Sequence, residues 1–411
     1  MPASRPALTR RTFLQTAAAG AAALGAPRIA RAQNANDRIG IGFIGCGGRS
    51  HAHMDTVLRL KQQGQPVDTV AVAEIYKPRR DAAAQKTGGK AYADHRDLLA
   101  DPNVDAVCIA SPDRLHVFEA LDAIRAGKDV FCEKPLTHWA QFDLCKRLAR
   151  ECRERERILQ VGTQGMADSI WRQAAQLIKD GAIGQPIHVQ AGYFRTGDWG
   201  ERMPIPDPNA RPGPDLNWEA FLADAPRRPF TVSRFFQWRM YWDYSGGPST
   251  DLFPHTFTPV AKALGVTFPD RVSAGGGKYH YDGEREVPDT FNMFIDYPEK
   301  VCVTLMCTLA NSVGLPTVIR GVEGTMTFDG PGLRIHPPEG STKPVQDIAR
   351  EQGGDLPEHW LNFLECIRTR EQPFSDVQLG YWVQTAMCMG TIALREARII
   401  RFDAQREKMI V

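Results

Sequence analysis

Three groupings of side chains in this sequence could do chemistry, and each sits where the chain turns. Gly45-Cys46-Gly47-Gly48-Arg49-Ser50 follows the apolar run Arg38–Ile44 directly. Gly45 permits a tight turn, and Gly47 lets the backbone approach a pyrophosphate lying on the unpaired N–H groups of the helix that follows. Glu133-Lys134-Pro135 closes a second apolar run, Asp129–Cys132, and the proline holds Lys134 extended at a strand end. A lysine placed there can hydrogen-bond a substrate hydroxyl, and desolvation lowers its pKa toward values useful for proton transfer. Asp251 and His255 lie four apart at the start of an apparent helix, Asp251–Leu264, so both project on one face.

The elements that must position these groups read as a doubly wound sheet. Val67–Ala73 is a second strand, ending in Glu74, which is placed to accept hydrogen bonds from the adenosine ribose and to repel a 2′-phosphate. That favours NAD, while Arg79 and Arg80 just downstream leave NADP open. Ser50 replaces the usual third glycine, small enough for helix and strand to approach. Val104–Ala110 is a strand with Ser111-Pro112-Asp113-Arg114-Leu115-His116 at its carboxyl end; Leu159-Gln160-Val161 ends at Gly162-Thr163-Gln164. Right-handed βαβ units bring all these ends to one edge, where such sheets bind ligands. Gly45, Gly47, Gly48, Arg49, Glu74, Ser111, Pro112, His116, Glu133, Lys134 and Gln164 are therefore the expected cofactor contacts.

The second half has a different rhythm. Ile187–Thr196, Arg271–Tyr281, Thr290–Tyr297, Val301–Leu309, Thr317–Val322 and Thr325–Phe328 are strand-like, several rich in β-branched and aromatic residues. Met203–Pro214 is proline-rich and reads as a long loop. Asp198-Trp199 and the run Trp238 to Tyr244 lie near it. That aromatic run suits either stacking on a sugar ring or a loop packed by its own rings.

The glycine turn at 45–50, Ser111-Pro112 with His116, Glu133-Lys134-Pro135, Gly162-Thr163-Gln164, and Gly246-Gly247 followed by Asp251-x-x-x-His255 resemble the Gfo/Idh/MocA oxidoreductase family in order and spacing. The likeness runs over nearly the whole chain beyond residue 32, with Trp360 to Arg395 similar to the family's C-terminal helices. It implies an α/β plus α+β chain. A Rossmann domain with a doubly wound parallel sheet occupies 33–164. A substrate-binding and oligomerisation domain with a large open, mostly antiparallel sheet occupies 165–411. It also implies that Lys134, Asp251 and His255 surround the carbon that exchanges hydride with a nicotinamide. His255 would carry the proton, with Lys134 as electrostatic partner and Asp251 orienting both; whether Lys134 or His255 takes the proton stays open.

Arg239, Trp242, Asp251 and His255 are the expected substrate contacts. The expected reaction moves a hydride between tightly held NAD, or NADP, and a secondary hydroxyl or keto group of a sugar or polyol. A redox-neutral alternative remains, in which transient oxidation permits cleavage of a glycosidic bond. A binding protein that merely keeps the dinucleotide fold is the third reading. A homodimer or homotetramer is expected, since the exposed face of an open sheet often packs against a partner.

Composition narrows the field. The 411 residues are 43% hydrophobic and 24% charged, which excludes a disordered, collagen-like or disulfide-stapled chain and gives length for two or three domains. A formal charge of +2 offers no general case for nucleic acid or a membrane surface. Nor is any segment apolar enough to span a membrane. The nine cysteines contain no Cys-x-x-Cys and several sit in apolar runs, so buried free thiols are the main expectation and a disulfide the lesser one. His51 and His53 are two apart at a helix start and diverge, and no metal is expected. Thr9-Arg10-Arg11-Thr12-Phe13-Leu14, the weakly apolar Ala17–Ala26, and Ala30-Arg31-Ala32 resemble a twin-arginine export signal at 1–32, cleaved after Ala32. That implies the twin-arginine machinery as partner and a folded, cofactor-loaded protein delivered to the periplasm or beyond.

Overall fold

The computed structural model of the chain describes residues 38–197 and 203–410. The expected export signal and Asp198-Trp199 lie outside the described residues.

β1 (Ile39–Ile44) has no polar side chain and is buried along its length. It pairs in parallel with β2 (Val67–Ala73) on one side and, across it, β4 (Ala106–Ile109) on the other. β3 (Lys90–Tyr92), β5 (Asp129–Cys132) and β6 (Leu159–Val161) complete a six-stranded parallel sheet in the order β3-β2-β1-β4-β5-β6. The order reverses between β1 and β4, which opens a crevice at their carboxyl ends.

Each face of this sheet is covered partly by distant chain. Met54, Val57 and Leu60 of the helix Gly48–Gln62 share one face with Trp360, Phe363 and Leu364 of the helix Leu356–Thr369. Val117, Leu121 and Ile124 of the helix Asp113–Arg125 share the other with Val377 and Tyr381 of the helix Val377–Glu396. The fully buried Trp360 stacks on Phe131 of β5, 4.7 Å between centroids, and donates its indole N–H to His53 Nδ1 at 3.0 Å.

The second sheet has eleven strands: β7 (Pro186–Thr196), β8 (Arg271–Gly277), β9 (Thr290–Tyr297), β10 (Val301–Thr308), β11 (Ala310–Asn311), β12 (Thr317–Gly321), β13 (Thr325–Phe328), β14 (Gly332–His336), β15 (Gln346–Ala349), β16 (Ile400–Asp403) and β17 (Lys408–Ile410). Its order is β15-β14-β13-β12-β7-β10-β9-β8-β16-β17, with β11 beside β7. β7 and β10 run parallel, and the other pairings are antiparallel. Period-two alternation makes the sheet one-sided. Val301, Val303, Leu305 and Cys307 enter a core with the helices Ser169–Lys179, Phe253–Leu264 and Val377–Glu396, while Cys302 and Met306 face the other way.

Two local expectations change. The single helix Asp251–Leu264 is two pieces, Pro248–Asp251 and Phe253–Leu264. Pro254 has no N–H to give to the preceding turn, so the first piece stops and a new helix begins with the proline in its first turn. The aromatic run mostly packs on itself: Phe235, Phe236, Tyr241 and Tyr244 join Trp218 and Phe221 in a buried cluster, against Tyr76 after β2. Trp238 and Arg239 alone of the run Trp238 to Tyr244 line the crevice.

Candidate active site

Gly45 ends β1 with φ +77°, and a Cβ there would stand 2.7 Å from the Ser111 nitrogen. The close approach of β1 and β4 thus requires glycine. A Cβ on Gly47 or Gly48 would meet nothing within 4 Å, so both present bare backbone to open space. No side chain caps the helix Gly48–Gln62, which leaves its first N–H groups for an anion. These features fit a dinucleotide pyrophosphate. From the turn, a cavity of about 390 Å³ runs past Glu74 and Ser111 to Lys134 and Arg239.

Glu74 lies on this cavity, 8% exposed, its Oε2 accepting from Cys46 N at 2.8 Å and Oε1 from Tyr76 N at 3.0 Å. The carboxylate is held in one orientation with lone pairs left for ribose hydroxyls. Arg80 donates to the Glu74 carbonyl at 3.0 Å, whereas Arg79 lines the cavity with its guanidinium over Phe236. Ser50 fits where a third glycine is usual, but its buried hydroxyl has no hydrogen-bond partner among the described residues.

The strand-end loops are tied together behind the cavity. His116, 1% exposed, places Nδ1 2.7 Å from Pro135 O and Nε2 2.9 Å from Ser111 O, bridging two loops. A neutral imidazole donates to only one of these, and burial lowers its pKa. Pro112 lines the cavity beside it. Glu133 is 3% exposed and holds Arg49 Nη2 at 2.7 Å and His53 Nε2 at 3.0 Å. Burial acts to raise the Glu133 pKa, but Arg49 and His53 outweigh it and keep the carboxylate ionised. Gln164 accepts from Arg49 at 3.3 Å and lines a separate hollow with Arg59 and Asp355, away from the cavity that holds the other expected cofactor residues.

At the far end, Lys134 crosses to the second half of the chain. Its Nζ lies 2.8 Å from Asp251 Oδ1 and 2.7 Å from the Asp251 carbonyl oxygen. Arg239 Nε is 3.4 Å from the same Oδ1, and Arg195 Nη2 is 3.8 Å from Oδ2. Burial pushes the Asp251 pKa up, yet Lys134 and Arg239 prevail and hold it far below the ordinary carboxylate range. His255 follows one turn later. Desolvation and then the Lys134 charge lower its pKa to about 3, so the imidazole is neutral and able to accept a proton or hydrogen bond. Its ring lies 6.0 Å from that of Tyr193, and it is not among the residues lining the cavity itself. Trp242, expected at the substrate, is elsewhere: its ring faces Trp139 and the Arg395 guanidinium, outside the crevice. Alternate side chains of an irregular loop take different sides, and an aromatic run does not say which.

Two buried acids escaped the sequence reading. Glu119 is 7% exposed, accepts from Ser111 Oγ at 2.5 Å, and burial pushes it up to about 7. Asp113 is 2% exposed and lines the cavity, and its Oδ2 has no partner among the described residues. Burial pushes it up to about 7 although Arg239 opposes this. Only its place beside Ser111-Pro112 hinted at it. Because the folded-state pKa stands above the unfolded value of about 4, ionisation costs stability as pH rises toward 7. Asp113→Asn is therefore expected to gain on the wild type by ~2 kcal/mol between pH 5 and pH 8, by urea unfolding of nucleotide-free protein. A difference that does not move with pH would show that Asp113 titrates normally.

Comparison with known proteins adds to this geometry. Residues 39–163 match the Gfo/Idh/MocA family model described as an oxidoreductase family with an NAD-binding Rossmann fold. Residues 168–411 match the model for that family's C-terminal alpha/beta domain. An inositol 2-dehydrogenase of Salmonella typhimurium is 34% identical over 160 residues, 38% of this chain and 45% of that protein. One from Burkholderia multivorans is 36% identical over 165 residues, 39% of this chain and 47% of that protein. The chain thus spans about half the length of these curated relatives. Among solved structures, the WlbA dehydrogenase of Bordetella pertussis with NADH and UDP-GlcNAcA is similar at a TM-score of 0.67 and 20% identity, over 89% of this chain and 99% of that one. A levoglucosan dehydrogenase with NADH and levoglucosan reaches 0.67 at 19% identity, over 91% and 99%. At such identities the likeness is one of fold.

Proposed function

The chain belongs to the Gfo/Idh/MocA oxidoreductase family, and from that premise we propose that it moves a hydride between NAD and a secondary hydroxyl or keto group of a sugar or polyol. One observation carries the reading: Lys134, from the strand-end loop of the NAD-binding half, holds Asp251 of the other half at 2.8 Å at the end of the glycine-lined cavity. NAD, when bound, supplies the hydride acceptor. Gly45, Gly47, Gly48 and Glu74 hold it. Lys134 donates to the substrate oxygen and stabilises negative charge there, Asp251 fixes the ammonium, and neutral His255 receives the hydroxyl proton. The curated relatives are named as dehydrogenases, which supports net oxidation over redox-neutral cleavage.

The arginine pair and small-residue cleavage site near the N-terminus support export in the folded state through the twin-arginine route to the periplasm or beyond. Outside the cytoplasm a tightly retained nucleotide follows as a requirement. The exposed Phe294 on β9 supports a homodimer or homotetramer packed through the open sheet. Among the described residues no helix is long and apolar enough to cross a membrane.

Purified protein, denatured, is expected to release NAD identifiable by mass. With inositols or aldoses the native protein is expected to reduce it, followed by near-ultraviolet absorbance. His255→Ala is expected to lower kcat by about 10²–10⁴-fold with the nucleotide retained. Sugar cleavage without net reduction would favour the redox-neutral alternative; unchanged turnover in His255→Ala would remove His255 from the reacting group.

A further inference from the structure

Among the described residues, the reacting end of the crevice holds more positive charge than negative. One carboxylate, Asp251, is shared by Lys134 at 2.8 Å and Arg239 at 3.4 Å, with Arg195 at 3.8 Å. Lys134 and Arg239 alone outnumber it. Glu133, beside Lys134, is balanced by Arg49 at 2.7 Å, and Asp113 is pushed up to about 7 by burial and so is only about half ionised at neutral pH. Solvent offsets the surplus only in part, since the Lys134 and Asp251 side chains are 9% and 13% exposed and that of Arg239 26%. A cation left uncompensated in such a place is costly.

Arg239 stands where the surplus can be used. It lines both the main cavity and a small cleft beyond it, shared with Ser245, Pro248 and Asp251. Its guanidinium lies over the Trp238 ring at 4.2 Å, which fixes its plane. Its Nε faces Asp251 at 3.4 Å, while Nη1 points at the Met203 thioether sulfur at 3.4 Å, a weak acceptor. Among the described residues the planar fork is thus positioned without a strong acceptor on its outer edge. The cleft has about 20 Å³, room for a group little larger than one water, which suits a flat carboxylate better than a tetrahedral phosphate.

Resting on the oxidoreductase reading above, we propose that the substrate is a sugar acid or other polyhydroxylated carboxylate. Its carboxylate is received by Arg239 while its reacting hydroxyl lies between Lys134 and His255. Asp251 then serves to orient the cations, and the ligand supplies the missing negative charge.

The test is calorimetric titration of NAD-loaded protein at low salt with glucuronate and galacturonate, their neutral parents glucose and galactose, and glucose 6-phosphate. Each uronate is expected to bind at least about tenfold more tightly than its parent. In Arg239→Gln that preference is expected to fall below about threefold, with Arg239→Lys between. Neutral sugars bound as tightly as the uronates, preference for the phosphate ester, or no sugar bound by protein that retains NAD would each overturn the substrate class. An Arg239→Gln protein that keeps the full preference would overturn the assignment to Arg239. The comparison among ligands on the wild type stands even if that variant fails to fold. Protein that cannot hold NAD at all would be a failure of the oxidoreductase reading instead.

Discussion

Lys134→Met is expected to lower kcat by about 10³-fold or more while leaving nucleotide content unchanged. The side chain would lose the ammonium that meets the substrate oxygen and keep a similar apolar stem. The glycine turn, Glu74 and Ser111, which line the cavity away from Lys134, should hold NAD as before. The change also takes one cation from a carboxylate that three of them share, so Asp251 would keep Arg239 and Arg195 as partners but lose its nearest donor at 2.8 Å. Charge alone does not rescue such a site, because Arg carries a larger, planar head than Lys. Lys134→Arg is expected to remain at least about tenfold below wild type. Single-turnover reduction of the bound nucleotide measures both, and a Lys134→Met protein with normal turnover would place the chemistry elsewhere.

The second large effect is on stability. Trp360→Ala is expected to destabilise the protein by about 3–5 kcal/mol, the range for removing a fully buried large aromatic. It removes a ring stacked on Phe131 at 4.7 Å and the N–H bonded to His53 Nδ1 at 3.0 Å. Burial keeps His53 neutral against Glu133, which favours the charged ring, and the N–H donated by Trp360 to Nδ1 leaves the hydrogen on Nε2, facing Glu133. Trp360→Phe keeps most of the contact area but leaves Nδ1 unpaired, at a cost of about 1–3 kcal/mol. Calorimetric unfolding tests the ranking; an Ala variant as stable as the Phe variant would mean the stack contributes little.

Much of the first sheet was legible because its signals are local. An apolar run, a glycine turn and an amphipathic helix each announce themselves within about ten residues. Gly45 and Glu74 could be placed on those grounds. Lys134 and Asp251 are 117 positions apart, and no periodicity relates them; family likeness put them together. Asp113 and Glu119 went unread because burial is decided by what packs over a side chain, not by its neighbours in sequence. The broken helix at Leu252 was readable in principle, since Pro254 is visible, but the run Asp251–Leu264 looked continuous by composition. Trp360 and Phe363 have the spacing of a helix face, which tells that the face is buried and not that β5 is what buries it.

That last contact bears on the order in which the protein is made. Synthesis runs from the N-terminus, and one side of the first sheet receives part of its outer layer from Trp360, Phe363 and Leu364. Until the ribosome has translated that far, the emerging NAD-binding half carries Phe131 and its neighbours without their cover. A nascent chain arrested before residue 356 should engage chaperones that recognise apolar surface, and release them once the final helices are out of the exit tunnel.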